Sequence, residues 1–188
     1  MKLLSILKLF LLTFLLGISL SFNMSPESDN EPQAINWMTW QEAVEKIEKG
    51  EKKKIFIDIY TDWCGWCKTM DKKTFSNPEI AKYMNEHFYA VKMDAEGKED
   101  IVFRDHTFKY VANGRRGYHE LAASLLQGKM SYPTVVFMDE DINMLSPVPG
   151  YQPPTSFHKI MTFFGEEHYK KTKWEEYEKI YEAPANLE

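Results

Sequence analysis

The segment Ile55-Phe56-Ile57-Asp58-Ile59-Tyr60-Thr61-Asp62-Trp63-Cys64-Gly65-Trp66-Cys67-Lys68 joins an apolar, β-branched run to a closely spaced pair of cysteines. Ile55 to Tyr60 has the composition of a strand buried on both faces, and its one acid, Asp58, would then be a buried charge. The cysteines lead into a helical stretch, Thr69 to Phe75, and Ser76-Asn77-Pro78 opens a second one, Glu79 to His87. This order puts Cys64 at the start of a helix, among unpaired backbone N–H groups that favour a thiolate and lower its pKa below the free value of about 8.5. Cys67, one turn on, brings its sulfur near the first and is partly covered by it, which suits attack on a mixed disulfide better than attack on an incoming substrate. Cys64 is therefore the candidate nucleophile and Cys67 the candidate resolving thiol. Burial raises a carboxyl pKa toward the range where thiols titrate, so Asp58 is the candidate proton acceptor for Cys67. Trp63 and Trp66 flank the pair, with Gly65 between the cysteines. The two indoles form either an apolar contact surface that keeps water from a mixed disulfide or part of the core.

Upstream, Thr39 with Glu42 forms a capping box, Trp40, Ala43, Val44 and Ile47 recur at helical spacing, and Gly50 ends the run. Downstream, Phe88 to Asp94 reads as a strand and Tyr118 to Gln127 as a helix with Leu121, Leu125 and Leu126 on one side. Thr134 to Met138 and Met144 to Val148 are strands around a polar turn, Asp139 to Asn143. Gly150 and Pro153-Pro154 precede a helical region that breaks near Gly165 and continues through Trp174 to Tyr181. The order is α, β, α, β, α, β, β, α, an α/β chain.

Hydrophobic residues at 44% place the chain among globular proteins, and 23 basic against 28 acidic residues argue against a nucleic-acid partner. Residues 1–22 stand apart. Lys2 and Lys8 precede an uncharged apolar run, Leu9 to Phe22, that ends with Ser19 and Ser21 at signal-peptidase spacing. Fourteen residues fall short of the roughly 20 that span a bilayer. A cleaved export signal is the preferred reading, with an uncleaved anchor counted from Leu3 as the alternative. No cysteine near its end allows a lipid anchor. Residues 23–35, rich in Ser, Pro, Asn and acids, read as a flexible linker. The exported product would meet an oxidising compartment.

Two cysteines cannot complete a zinc site alone, and Lys68 after Cys67 breaks the haem-attachment pattern. His87, His106, His119, His158 and His168 lack ligand spacing, so no metal and no cofactor is expected. An inert structural disulfide is the bland alternative, but so short a loop constrains the unfolded chain little.

On these residues the chain resembles the thioredoxin-like superfamily. Asp58 stands six residues before the first cysteine, as in thioredoxins. Tyr132-Pro133-Thr134 falls where the family carries its cis-proline, and Gly150 where a glycine closes the substrate groove. Cys67-Lys68-Thr69-Met70 with Thr74-Phe75-Ser76-Asn77-Pro78 is more similar to exported thioredoxin-like proteins and to the periplasmic C-terminal domain of transmembrane disulfide reductases. The resemblance implies a central mixed sheet flanked by helices over residues 36–165, followed by a helical extension, 166–188. It also implies a redox-active Cys64–Cys67 disulfide and a substrate backbone pairing with Tyr132 beside Cys64. The implied activity is reduction of protein disulfides in the periplasm, fed by a membrane-embedded electron donor. The alternatives are a disulfide oxidase or isomerase, and a binding or chaperone module with little turnover. The chain departs from the family in having Gly65-Trp66 between its cysteines, in postponing the helix break to Pro78, and in carrying an extra segment, residues 97–117. Partial alternation from Ile101 to Val111 and the turn signal Asn113-Gly114 make that segment a small hairpin, which either covers an edge or shapes partner choice near Pro133.

Overall fold

The computed structural model describes residues 34–187. The expected export signal and nearly all of the expected linker lie outside the described residues. The Thr39–Glu42 capping box forms as the sequence requires: Thr39 Oγ1 accepts from the Glu42 N–H, and the Glu42 carboxylate accepts from the Thr39 N–H. It opens α1 (Trp40–Glu48), which buries Trp40, Ala43, Val44 and Ile47.

The remaining elements are β1 (Trp37–Met38), β2 (Lys54–Tyr60), α2 (Gly65–Met70), a π-helical turn (Asp71–Phe75), α3 (Pro78–His87) and β3 (Phe88–Asp94). Then come β4 (Ile101–Phe103), β5 (His106–Phe108), β6 (Tyr110–Asn113), β7 (Arg116–His119), α4 (Glu120–Leu125), β8 (Thr134–Met138) and β9 (Met144–Pro149). α5 (Pro154–Gly165), a 3₁₀ turn (His168–Lys170) and α6 (Trp174–Ile180) complete the chain. Five strands form one mixed sheet in the order β1-β3-β2-β8-β9, in which β1, β3 and β2 run parallel and β8 and β9 antiparallel to their neighbours.

Side chains alternate across a strand, so β2 divides its residues between two cores. Ile55, Ile57 and Ile59 face one core with α1 and α4, where Leu121, Leu125 and Leu126 pack. Phe56 faces the other, with Met70, Phe75, Ile80, Met84, Phe157 and Phe164 from the helices after the cysteines and from α5. Asp58, two residues from Phe56, points to that same side, under α2. Register sets Asp58 opposite Lys92 on β3 and Val135 on β8.

The segment after β3 differs from the single hairpin expected. It forms two, β4–β5 and β6–β7, and the second takes Tyr118 and His119 from the expected helix, so that α4 begins only at Glu120. The reason is local. His119 is buried and caps α4, its Nδ1 accepting from the Leu121 N–H while Nε2 faces the Glu99 carbonyl at 3.1 Å. Between β6 and β7 only Gly114 and Arg115 intervene, and Gly114 takes the left-handed conformation that such a turn uses. Gly117 has a second constraint: a Cβ there would lie 2.3 Å from both the Tyr110 ring and the Val111 carbonyl oxygen. Gly117→Ala should therefore destabilise the fold by about 1–3 kcal/mol, lowering the midpoint of a thermal melt by roughly 3–10 °C for a domain of this size. An unchanged midpoint would show that the hairpin relaxes freely.

The helical region after Pro154 breaks as expected at Gly165, for a reason the sequence did not disclose. A Cβ on Gly165 would lie 2.5 Å from the Tyr83 hydroxyl, and the left-handed residue is Glu167. Beyond it the chain forms the 3₁₀ turn and the short α6 rather than one continuous helix. No helix among the described residues is long and apolar enough to cross a membrane.

Candidate functional site

Cys64 is the N-cap of α2 in extended conformation, and the Cys67 N–H donates to its Sγ at 3.0 Å. The two cysteines are joined in a disulfide, with Cα atoms 5.3 Å apart. Both are largely buried, at 5% and 3% exposure, so the difference in cover expected between them is small in this oxidised form. The disulfide's surroundings are exposed instead. Trp63 is 50% and Trp66 62% exposed, so neither indole belongs to the core.

Each indole is held by a different part of the chain. Trp66 lies against Tyr151, with ring centroids 5.4 Å apart and planes at 35°. Trp63 meets Tyr132 edge-on at 5.9 Å, its Nε1–H donates to the Glu96 carboxylate at 3.0 Å, and the Arg116 guanidinium lies 4.2 Å from its ring centre. The Tyr132–Pro133 peptide is cis. The Pro133 carbonyl accepts from the Gly150 N–H at 2.8 Å, and Gly150 has a φ of +89° that a side chain would strain. This bond ties the Tyr132–Pro133 loop to the end of β9. Burial, and after it Glu96 and Asp94, pushes the Tyr132 hydroxyl up to about 12.

On β2, the strand that leads to the cysteines, Asp58 is 1% exposed. One of its oxygens faces Lys92 Nζ at 2.6 Å, and the other has no hydrogen-bond partner. Burial is the dominant influence and pushes its pKa up to about 6, against the opposing pull of Lys92. Lys92 also pairs with Asp71 and sits 4.9–5.4 Å from the ring centres of Trp37, Tyr60 and Phe75. Burial works against its charge, but the two carboxylates outweigh it, and its pKa is raised. A cleft of about 470 Å³ lined by Trp37, Asp71, Phe75, Ser76 and Lys92 leads from this group to the surface.

The fold thus brings Asp58, Cys64, Cys67, Trp63, Trp66, Tyr132, Pro133 and Gly150 to one end of the sheet and α2. Sequence reasoning missed Lys92, Asp71, Glu96, Arg116 and Tyr151. For Lys92 a signal existed: it is the one cation in the apolar run Phe88 to Asp94. Among the described residues no cluster of His, Cys, Asp and Glu has a metal-binding arrangement.

Residues 25–185 match the family Thioredox_DsbH, described as "Protein of unknown function, DUF255". The chain belongs to this family. An uncharacterized protein of Caenorhabditis elegans is 30% identical over 132 residues, which cover 69% of this chain and 16% of that protein. Thiol:disulfide interchange protein DsbD of Escherichia coli strain K12 is 28% identical over 69 residues, 36% of this chain and 12% of that protein. A thioredoxin-fold protein from Helicobacter pylori superposes with a TM-score of 0.53 at 22% identity, over 67% of this chain and 77% of that one. This Thioredox_DsbH chain has the thioredoxin-like fold and is similar to a part of DsbD, while it spans only 8% to 16% of the length of curated relatives of the kind it matches.

Proposed function

We propose that the chain is an exported thiol–disulfide oxidoreductase that reduces protein disulfides through Cys64 and Cys67. The observation that carries this reading is the Cys64–Cys67 disulfide at the start of α2, with the Cys67 N–H donating to Cys64 Sγ. In the reduced protein, the Cys67 N–H that now faces Cys64 Sγ would favour the Cys64 thiolate. That thiolate attacks one sulfur of a substrate disulfide and forms a mixed disulfide, releasing the other substrate sulfur as a thiolate that takes up a proton. Cys67 then gives its proton to Asp58, directly or through a water, and attacks Cys64 Sγ. The second substrate thiol leaves and the Cys64–Cys67 disulfide remains. An extended substrate segment would pair with the backbone of Tyr132 beside Pro133, between the walls made by Trp63 and Trp66, with Gly65 and Gly150 leaving room for it.

Relatedness to a thiol:disulfide interchange protein supports this class of chemistry and motivates a membrane-embedded electron donor, since a reductase in an oxidising compartment has to be recharged. Such a compartment, the periplasm, accords with the apolar leader.

Direction is tested by equilibrating the purified protein with glutathione buffers. A reductase should come to equilibrium at or below about −230 mV, whereas an oxidase would sit near about −120 mV. Partners are tested with Cys67→Ser, in which the first attack proceeds and resolution cannot. Mixed disulfides should accumulate on Cys64, be released by dithiothreitol, and be absent from Cys64→Ser/Cys67→Ser. A binding module would retain its partners through dithiothreitol treatment and without Cys64.

A further inference from the structure

The two hairpins of the extra segment have different neighbours. In β4–β5, Phe103 packs edge-on against Trp40 of α1 at 5.0 Å, an ordinary covering contact. In β6–β7 the first residue of β7, Arg116, reaches the indole that precedes Cys64 instead. Arg116 is exposed, and among the described residues its guanidinium has no carboxylate within salt-bridge distance; Glu96 is engaged by the indole N–H. Trp63 is thereby held on its face by Arg116, at its N–H by Glu96 and at its edge by Tyr132, yet half of it stays open to solvent. Glu96 is itself placed by a turn in which its N–H donates to Asp94 Oδ1.

An aromatic side chain fixed in one position while exposed is organised for contact, because a partner that docks on it does not have to order it first. We propose that Arg116 is a positioning residue that holds Trp63 as the docking wall for a polypeptide flanking the target disulfide, so that the β6–β7 hairpin makes the site selective for protein over small disulfides. This rests on the thiol–disulfide reading of the site. A cation over an indole at an exposed position contributes on a scale that corresponds to about a three- to five-fold change in affinity.

The test compares insulin with hydroxyethyl disulfide, a small neutral molecule with no polypeptide to lie on the Trp63 face. Arg116→Ala should raise KM for insulin about three- to five-fold while kcat for insulin, the turnover of hydroxyethyl disulfide and the glutathione equilibrium stay as in the wild type. Arg116→Lys, which keeps a cation, should recover part of the loss. In a Trp63→Ala background, Arg116→Ala should add nothing further, since its effect passes through the indole. Equal losses on both substrates, additive losses in the double variant, or an unchanged KM for insulin would each overturn the inference and leave the proposed function standing. A wild type that reduced neither disulfide would overturn both.

Discussion

Cys64→Ser should lower insulin reduction by on the order of 10³-fold or more, because a serine hydroxyl neither ionises near neutral pH nor exchanges with a disulfide. The residual rate should match that of Cys64→Ser/Cys67→Ser, since Cys67 lies one turn inside the helix rather than at its N-cap. The loss should not come from unfolding. Cys64 is the N-cap of α2, and serine is among the residues that perform this task best, so its hydroxyl can accept the N–H that Cys67 now donates to sulfur. Removing so short a disulfide loop costs only about 2 kcal/mol in the chain-entropy account, within the 5–15 kcal/mol of a typical domain. Near-ultraviolet circular dichroism would check the fold, and turbidity of reduced insulin the activity. Retention of more than a tenth of the wild-type rate would remove Cys64 from the centre of the mechanism.

Elements whose signals are local could be read directly. β3 and β8 have the limits that the apolar runs Phe88 to Asp94 and Thr134 to Met138 imply, and α1 starts where Thr39 and Glu42 place its cap. The two cysteines and Asp58 were legible because strand, CxxC and helix are contiguous, so that spacing alone puts the acid on the buried strand leading to the pair. What was not legible is tertiary. Lys92 meets Asp58 only through the parallel register of β2 and β3, which no residue in either strand announces. β1 has two residues and lies at the sheet edge, too short for a period to show. The strands of the two hairpins have three or four residues each, and their charged and aromatic residues alternate imperfectly because no single core claims one face. Arg116 carried no signal beyond a cation after a turn, and its meaning lies wholly in the distant indole it covers.

Asp58→Asn separates a structural acid from a working one, because it should move stability and activity in opposite directions. The folded pKa of about 6 exceeds the unfolded value near 3.8, so between those values the folded chain binds more protons than the unfolded one. By linkage, stability contributed at this site declines as pH rises through roughly 4 to 6, and the full penalty of a buried carboxylate persists above that window. An amide cannot ionise. Asp58→Asn should therefore be more stable than the wild type at pH 7 by up to about 2–3 kcal/mol, with the difference fading as pH falls below the unfolded value. Lys92 loses one partner but retains Asp71 and its aromatic neighbours, which limits the cost of the change on the other side of the pair. Turnover should go the other way. Without an acceptor for the Cys67 proton, resolution of the mixed disulfide should slow by on the order of 10²-fold near neutral pH, and the activity profile should lose its limb near pH 6. Thermal melts across pH 4–8 and insulin reduction over the same range would measure both. A structural carboxylate held in place by Lys92 would lose stability on substitution and show the same fractional activity at every pH. The unpaired oxygen of Asp58, buried without a hydrogen bond, is the atom on which the two outcomes diverge.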